Sequence, residues 1–312
     1  MKPVNSKKRV LIIGGSGTIG KSFIRLYYDE NISFYNFSRN ENSQVELHKE
    51  FTKIPYQILG NVEDSVSVYN AFEKVKPDIV IHAAAVKHID LAERQPIHTC
   101  RVNLVGSLNI IDAAIRNNTP TVIAISTDKA CSSASVYGDT KSLMEKCFLD
   151  ANTNKNRFSV CRFANVAHSN GSVLPFWLKL NSEGKPLKLT DPNMNRLMFT
   201  QNDAARLISR AIKHTESNGG GFIASYKMKC VNMLDLAKVI SDDVEIMGKR
   251  PGEKTNEDLI AEHELPYTYV RGNDIHIRSE VNEGTNRLEV PYNSKSAEKM
   301  SSYEMDEMIR WT

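Results

Sequence analysis

The chain has 312 residues, 41% hydrophobic and 25% charged, with a formal net charge of +3, which is ordinary for a globular protein of one large or two modest domains. Positive and negative residues are intermixed, which argues against a nucleic-acid-binding protein, and no apolar run reaches the ~20 residues of a membrane span. The five cysteines are scattered without metal-ligand spacing, which predicts no metal site and favours a reducing, cytoplasmic location.

The first predicted elements are a strand, a glycine-rich turn and a helix. Residues 9–13 are mostly apolar and β-branched, as in a buried strand, and glycines follow at positions 14, 17 and 20. Glycines at this spacing allow a tight turn and the close approach of backbone N–H groups to a pyrophosphate at the helix N-terminus. The residues predicted to form this dinucleotide site are Gly14, Ser16, Gly17, Thr18, Ile19 and Gly20.

The second predicted strand, residues 32–37, ends in the polar sequence Ser38-Arg39-Asn40. In dinucleotide-binding folds an acidic residue at this place binds the ribose 2′-hydroxyl of NAD, whereas an arginine accommodates the 2′-phosphate of NADP. No acidic residue occurs here before Glu41. We therefore predict NADP as the cofactor, with Ser38 and Arg39 at its extra phosphate.

The third and fourth predicted strands, residues 56–60 and 78–82, extend the same site. Residues after the third strand would lie near the adenine, and small residues after the fourth would let the backbone pass close beneath the cofactor. His82, which ends the fourth strand, is interpreted as structural. The predicted cofactor contacts in this part of the chain are Asn61, Val62, Ala83, Ala84 and Ala85.

The fifth predicted strand, residues 121–125, leads into a segment rich in reactive side chains. Residues 126–129, Ser-Thr-Asp-Lys, would lie at the carboxyl end of this strand, where open α/β sheets bind ligands. Tyr137 and Lys141 are four residues apart at the start of a predicted helix, so both side chains project from one face. Because a nearby ammonium lowers the pKa of a tyrosine, this pair predicts a catalytic base.

Strands and helices alternate from residue 9 to about residue 164, which predicts an α/β fold with a Rossmann-type, doubly wound parallel sheet. The further predicted helices and the sixth strand of this region are residues 66–74, 97–117, 136–149 and 158–163.

After the sixth strand, prolines and a glycine break the alternation, although residues 203–214 are typical of a helix and 221–225 of a strand. We therefore expect a dinucleotide-binding domain at residues 1–165, to which residues 200–225 return. Residues 166–312 would form mainly a smaller, C-terminal substrate-binding part.

Taken together, the sequence resembles the extended short-chain dehydrogenase/reductases, and among them the 5-inverting UDP-N-acetylglucosamine 4,6-dehydratases of surface-glycan biosynthesis. The similarity runs from about residue 9 to about residue 259. The Asp128-Lys129 pair is the most specific match, because other sugar-nucleotide dehydratases have Asp-Glu there. The segments that carry the resemblance are GGSGTIG at 14–20, HAAAVKH at 82–88, STDKAC at 126–131, YGDTK at 137–141, RFANV at 162–166, GSVLPF at 171–176 and RPGEK at 250–254.

The resemblance implies an elimination of water with internal hydride transfer. Tyr137, assisted by Lys141, would take the proton of the sugar hydroxyl at C4 as a hydride leaves that carbon, and Thr127 would hydrogen-bond the 4-oxygen. Lys129 would then remove the proton at C5, Asp128 would protonate the departing 6-hydroxyl, and the hydride would return to C6. Reprotonation of C5 on the opposite face would invert the sugar.

The same resemblance implies a nucleotide-sugar partner and a homo-oligomer that pairs through the helix of Tyr137 and Lys141. Apolar residues on that helix would face a partner or the core. Lys87 is a candidate contact of both cofactor and substrate. The residues implied for substrate binding are Lys87, Asn165, Ser172, Val173, Pro175, Arg196, Arg250 and Glu253.

Other interpretations remain open at this point. A sugar-nucleotide 4-epimerase would share the fold, but its reaction needs no elimination acid and base such as Asp128 and Lys129. A non-catalytic NADP-binding regulator would typically lack the tyrosine that stands at position 137. A dehydratase that acts on a GDP-linked sugar, or one that retains the configuration at C5, is hardly distinguished by the sequence.

Overall fold

The structure is a computed structural model that describes residues 7–28, 31–52, 54 and 56–310, so the first and last residues of the expected division lie outside it. Its strands are β1 (Lys8–Ile13), β2 (Ile32–Ser38), β3 (Tyr56–Leu59), β4 (Ile79–His82), β5 (Thr121–Thr127), β6 (Arg157–Phe163), β7 (Asn165–Val166), β8 (Leu187–Leu189), β9 (Asn195–Phe199), β10 (Phe222–Tyr226), β11 (Cys230–Asn232), β12 (Val244–Ile246), β13 (Asp258–Ile260), β14 (Thr268–Arg271), β15 (Asp274–Arg278) and β16 (Tyr292–Asn293).

The α-helices are α1 (Thr18–Tyr27), α2 (Glu41–Glu50), α3 (Ser65–Val75), α4 (Ile89–Arg94), α5 (Pro96–Cys100), α6 (Gly106–Arg116), α7 (Val136–Asp150), α8 (Val173–Ser182), α9 (Gln201–Asn218), α10 (Met233–Ile240) and α11 (Ser302–Arg310). Within the described ranges, none of the helices has the length and apolar character needed to cross a membrane.

Among the described residues, a nine-stranded sheet forms the centre of the molecule, in the order β14-β15-β10-β6-β5-β4-β1-β2-β3. The strands from β10 to β3 in this order run parallel. The chain proceeds outward from β1 to β3 and then crosses back to β4, so the strand order reverses beside β1 and opens a crevice there. The predicted Rossmann-type, doubly wound sheet is therefore confirmed.

The two faces of the sheet are covered by different helices, as the alternation of side chains along β1 requires. Val10 and Ile12 belong to an apolar cluster that includes Phe23 of α1 and Leu207 of α9. Leu11 and Ile13 point the other way and pack with residues of α3, α6 and α7. Every one of these four β1 side chains is at most 1% exposed, which explains the unbroken apolar run in the sequence.

A third apolar cluster forms the core of the smaller part of the molecule. Trp177 of α8 is fully buried in it and donates its indole N–H to the carbonyl oxygen of Lys188 at 2.9 Å. The cluster also takes residues from α10 and α11, while β7, β9 and β11 form a small sheet beside it. The last helix of the chain is therefore part of the smaller core.

Two local features differ from the expectations. The hairpin of β14 and β15 continues the main sheet in antiparallel fashion, so residues 268–278 belong to the main sheet and not to the smaller part of the molecule. The single helix expected at 97–117 is interrupted by a π-helical turn at Arg101–Val105, where Asn103 is buried. Such turns insert one extra residue into a helix and occur often at functional sites.

Candidate active site

A cavity of about 500 Å³ lies at the carboxyl ends of the parallel strands, in the crevice beside β1. The turns after β1, β2, β3, β4 and β5 contribute to its wall, together with the segment that follows β6. The sequence-predicted residues that line it are Gly14, Ser16, Gly17, Thr18, Ile19, Ser38, Arg39, Asn61, Val62, Ala83, Ala84, Ala85, Lys87, Thr127, Lys129, Tyr137, Lys141, Asn165 and Ser172.

The glycine-rich turn forms one end of the cavity and leaves no room for side chains. Gly14 has φ of +85°, and a Cβ atom there would lie 2.9 Å from the backbone nitrogen of Ala84. Gly20 does not line the cavity, because it packs on Gly15, whose Cα would lie 2.4 Å from an added Cβ. Gly17 begins α1 without a side-chain cap, so the first N–H groups of the helix are free to bind an anion.

Two hydroxyl groups in the cavity wall lack a protein partner. The Oγ atoms of Ser126 and Ser172 are buried, and neither has a hydrogen-bond partner in the part of the chain that the structure describes. Buried polar groups are normally paired, so these two atoms indicate that the cavity receives a polar ligand. Together with the glycine turn and the uncapped α1, they fit a dinucleotide.

Lys87 holds the loop that follows β7 against the glycine-rich turn. Its Nζ donates to the carbonyl oxygen of Asn170 at 2.6 Å, and the backbone N–H of Asn170 donates to Oγ1 of Thr18 at 3.0 Å. Ser169 and Asn170, which the sequence analysis did not single out, therefore line the cavity beside the predicted residues. The position of Lys87 supports its prediction as a ligand contact at this end.

Residues 127–129 follow β5 into a short 3₁₀ turn that brings an acid and a base together. Nζ of Lys129 and Oγ1 of Thr127 both donate to Oδ1 of Asp128, each at 2.9 Å. The Lys129 side chain is 16% exposed and reaches the cavity, whereas the Asp128 side chain is fully buried beneath it. Any proton that Asp128 exchanges with a ligand must therefore pass through one of these two neighbours.

Tyr137 lies in the first turn of α7, which Ser135 caps by accepting the N–H of Gly138 at 3.2 Å. Burial raises the pKa of Tyr137, while the ammonium of Lys129 and a hydrogen bond with Thr127 oppose this increase. Tyr137 therefore lines the cavity together with Thr127 and Lys129, whose charge acts on its pKa.

Lys141 lies one turn further along α7 and is anchored in the cavity wall. Its Nζ donates to the carbonyl oxygen of Ile125 at 2.5 Å and contacts Sδ of Met144 at 3.3 Å. Burial lowers the pKa of Lys141 to about 8. The assistance that Lys141 gives to the Tyr137 phenol stays a prediction.

Asn103, which was not predicted from the sequence, holds α7 in place. Its amide group donates to the carbonyl oxygen of Val86 at 3.0 Å and to Oγ1 of Thr140 at 3.1 Å, and its Oδ1 accepts the Val86 N–H at 2.8 Å. The signal available was a polar residue in the middle of a helical pattern. His82 is 1% exposed, and its Nε2 lies 3.0 Å from Oγ of Ser107, as expected of a structural residue.

Several residues predicted for the substrate do not line the cavity. Arg196 is buried, and its guanidinium donates to the carbonyl oxygens of Asn195, Lys254 and Thr255. The remaining ones are Val173 and Pro175 in the first turn of α8, and Arg250 and Glu253 in the loop after β12.

Glu257 is a second buried carboxyl group near Lys129, and nothing in the sequence pattern marked it. It is 3% exposed and directly precedes β13, which packs against the 3₁₀ turn that holds Lys129. Its charge and that of Asp128 act on Lys129 together.

Two known proteins are similar to this chain over most of its length. The chain is 36% identical over 276 residues to the UDP-N-acetylglucosamine 4,6-dehydratase (inverting) of Campylobacter jejuni, covering 85% of this chain and 80% of the relative. The X-ray structure of Pen from Bacillus thuringiensis is 30% identical, with a TM-score of 0.90 and 98% of each chain covered.

A more distant structural neighbour is the UDP-glucose 4-epimerase of Thermus thermophilus in complex with NAD. It is 18% identical, with a TM-score of 0.70, and covers 78% of this chain and 88% of its own, so the likeness shows a common fold. The sequence profile of one family, polysaccharide biosynthesis proteins, matches residues 10–278. With most of its length matched, the chain belongs to the polysaccharide biosynthesis protein family.

Proposed function

We propose that this protein is a 4,6-dehydratase that acts on UDP-N-acetylglucosamine and inverts C5, as the name of the Campylobacter jejuni relative describes for that enzyme. The observation that carries the proposal is the pairing of Lys129 with buried Asp128, which Thr127 also contacts, at the wall of the cavity that Tyr137 lines. Oxidation at one carbon needs only a tyrosine base, whereas elimination needs a second base and an acid. The site supplies all of them within one short segment.

We propose a nicotinamide dinucleotide, specifically NADP, as the cofactor. The residues that would hold it are those of the glycine turn for the diphosphate and Ser38 and Arg39 for the 2′-phosphate, and the exposed Arg39 side chain lies at the cavity wall. When bound, the dinucleotide supplies a ring that accepts a hydride and gives it back.

Purified protein is expected to release NADP on denaturation, and Arg39→Ala is expected to weaken binding of NADP while leaving that of NAD nearly unchanged, because only NADP has the extra phosphate. Chromatography of the released dinucleotide and calorimetric titration with each form check this. Lys49→Ala, on the exposed end of α2, is the control. Release of NAD alone, or equal loss of both affinities, would contradict the proposal.

The chain's own groups then account for the protons. Tyr137 takes the proton of the 4-hydroxyl while Thr127 orients the 4-oxygen. Lys129 removes the proton at C5, which the neighbouring ketone makes acidic. Asp128 supplies the proton of the departing 6-hydroxyl through Thr127 or Lys129, since its own oxygens are buried. Over the cycle C5 loses one proton to Lys129 and regains one on its opposite face, and the proton lost from the 4-hydroxyl balances the one that leaves in water.

For the sugar nucleotide, we propose Lys87, Asn165 and Ser172 as contacts within the cavity, and Val173, Pro175, Arg250 and Glu253 as contacts outside it. Arg196 would act indirectly, through the loop that it holds. The test of the activity is incubation with UDP-N-acetylglucosamine and, separately, with its GDP counterpart. Mass spectrometry should show loss of one water from the UDP form only; isomerisation without mass change would indicate an epimerase.

We propose a homo-oligomer that pairs through α6 and α7, which pack side by side and expose Leu108, Ile115 and Leu143. Met144 and Phe148, also on α7, are fully buried in the core and are not available to a partner. Light scattering at micromolar concentration is expected to give at least a dimer, and Leu143→Glu to weaken it, whereas a monomeric wild-type chain would contradict the proposal.

We also propose a cytoplasmic location, which the five free thiols support. The cofactor-binding part would then comprise residues up to 165, the return at 200–225 and the hairpin of β14 and β15, with the rest of 166–312 serving the sugar nucleotide.

A further inference from the structure

Glu257 is held rigidly at the back of the acid-base pair. Its backbone N–H donates to Oγ of Ser294 at 2.9 Å, and its carbonyl oxygen accepts the N–H of Ser294 at 3.0 Å. Both backbone groups are thus fixed by one residue of the facing segment, and the side chain is 3% exposed. The carboxyl group therefore has little freedom to turn away from its surroundings.

Two cations hold the segment before Glu257: Arg196 joins it to β9, and Lys254 joins it to the residues just after the 3₁₀ turn of Lys129. Arg196 donates to the carbonyl oxygens of Lys254 at 2.9 Å and Thr255 at 3.2 Å. Nζ of Lys254 donates to the carbonyl oxygen of Ser132, just beyond the 3₁₀ turn. These contacts bring residues 254–257 against the segment that carries Lys129, so Glu257 belongs to the same rigid unit.

The resulting cluster contains two carboxyl groups and one ammonium near the reacting atoms. Lys129 faces Asp128, Glu257 and Arg196, and Glu257 faces Lys129, Asp128, Arg196 and Lys254. Oδ2 of Asp128 is buried without a hydrogen-bond partner in the described part of the chain. The hydrogen bonds found among the described residues include none to the Glu257 carboxyl group. A second buried carboxyl group beside the Asp128–Lys129 pair adds a further negative charge that acts on the Lys129 ammonium.

The charges of the cluster act on one another's pKa values. Burial would lower the pKa of Lys129, but the carboxylates of Asp128 and Glu257 outweigh it and raise this pKa above its usual value. Burial raises the pKa of Glu257, and Lys129 opposes that increase while Asp128 adds to it. A charged Glu257 thus keeps Lys129 protonated, whereas a neutral Glu257 releases it.

We propose that Glu257 is a positioning residue that controls the protonation of Lys129, and with it the moment at which Lys129 can act as a base. The proposal rests on the function assigned above only in naming Lys129 as the base; the coupling itself is a property of the protein without substrate. Glu257 does not line the cavity and acts entirely through Lys129.

The test measures the Lys129 amine directly. Traces of acetic anhydride are applied to the protein across a pH series, and mass spectrometry of the peptides gives the fraction of each lysine acetylated. Lys129 reaches the cavity and is open to a small reagent. In Glu257→Gln the neutral amine should become roughly threefold to tenfold more abundant at a fixed pH below its pKa, because one neighbouring negative charge is gone. Glu257→Asp should restore the wild-type behaviour in part.

The control is Glu262→Gln, the same chemical change on an exposed side chain of the following turn, and it should leave Lys129 reactivity unchanged. Unchanged Lys129 reactivity in folded Glu257→Gln would overturn the proposal. If reactivity changes but no preparation eliminates water from the sugar nucleotide, the coupling stands and the dehydratase assignment fails. If both hold, the pH profile of water elimination should move to lower pH in Glu257→Gln.

A reciprocal experiment does not depend on the folding of Glu257→Gln. Without the Lys129 charge, the pKa of Glu257 should rise further. A carboxyl group with a raised pKa stabilises the folded state below its unfolded pKa and loses that contribution as pH rises through the folded pKa. Lys129→Met should therefore lose more unfolding free energy than wild type as pH rises from the ordinary carboxyl pKa through the raised pKa of Glu257. Equal losses in the two proteins would overturn the coupling.

Discussion

Lys129→Ala is expected to oxidise the sugar at C4 and then stop. The variant keeps Tyr137 and Thr127 but lacks the base for C5, so water cannot leave and the hydride cannot return to C6. Reduced cofactor should accumulate, visible as the near-ultraviolet absorbance of the dihydronicotinamide, while formation of the 4-keto-6-deoxy product falls by ~10²–10⁴-fold.

The matched control for this experiment is Lys146→Ala, which removes an exposed lysine from α7. That variant should turn over normally, without accumulation of reduced cofactor. Dehydration by Lys129→Ala at the wild-type rate would show that another group removes the C5 proton.

Tyr137→Phe is expected to block the reaction one step earlier. In the proposed mechanism the phenol takes the proton of the 4-hydroxyl, and Tyr137 lines the cavity together with Thr127 and Lys129. Without it, neither reduced cofactor nor product should form at more than ~10⁻²–10⁻⁴ of the wild-type rate. Rapid mixing with absorbance detection measures the first turnover directly.

Tyr303→Phe is the control here, since Tyr303 is 70% exposed on the last helix. It should match wild type in both signals. A burst of reduced cofactor in Tyr137→Phe would mean that a different group starts the reaction. The two variants together separate the oxidation from the elimination, which activity measurements on either alone cannot do.

The main sheet and most of the cavity were predictable because their signals are local. A fully buried parallel strand such as β1 is apolar throughout, and a glycine turn that must approach Ala84 closely admits no other residue type at Gly14. Residues directly after such strands are brought to one edge by the topology alone. The positions of Arg39, Thr127 and Lys129 at the cavity follow from that rule.

The parts that were not predictable depend on contacts distant in sequence. Arg196 and Ser294 hold the segment of Glu257 near Lys129. Contacts of this kind leave no periodic pattern in the sequence. Arg196 is a second example. Arginine is a residue type that suits phosphate, but the Arg196 guanidinium donates to backbone carbonyl oxygens in this structure. The hairpin of β14 and β15 did carry a sequence signal, because Ile275 and Ile277, both buried, alternate with other residues along β15. The late position of the hairpin in the chain made this signal hard to interpret.

The account is tested most directly by converting UDP-N-acetylglucosamine in deuterated water and examining the product by NMR. Removal of the C5 proton by Lys129, followed by reprotonation on the other face, predicts a 4-keto-6-deoxy sugar that carries deuterium at C5 and has the L configuration. A product with deuterium at C5 but the D configuration would contradict the inversion. A mixture of C4 epimers that retains the 6-hydroxyl and contains no deuterium at C5 would contradict the central claim, that Asp128 and Lys129 serve an elimination.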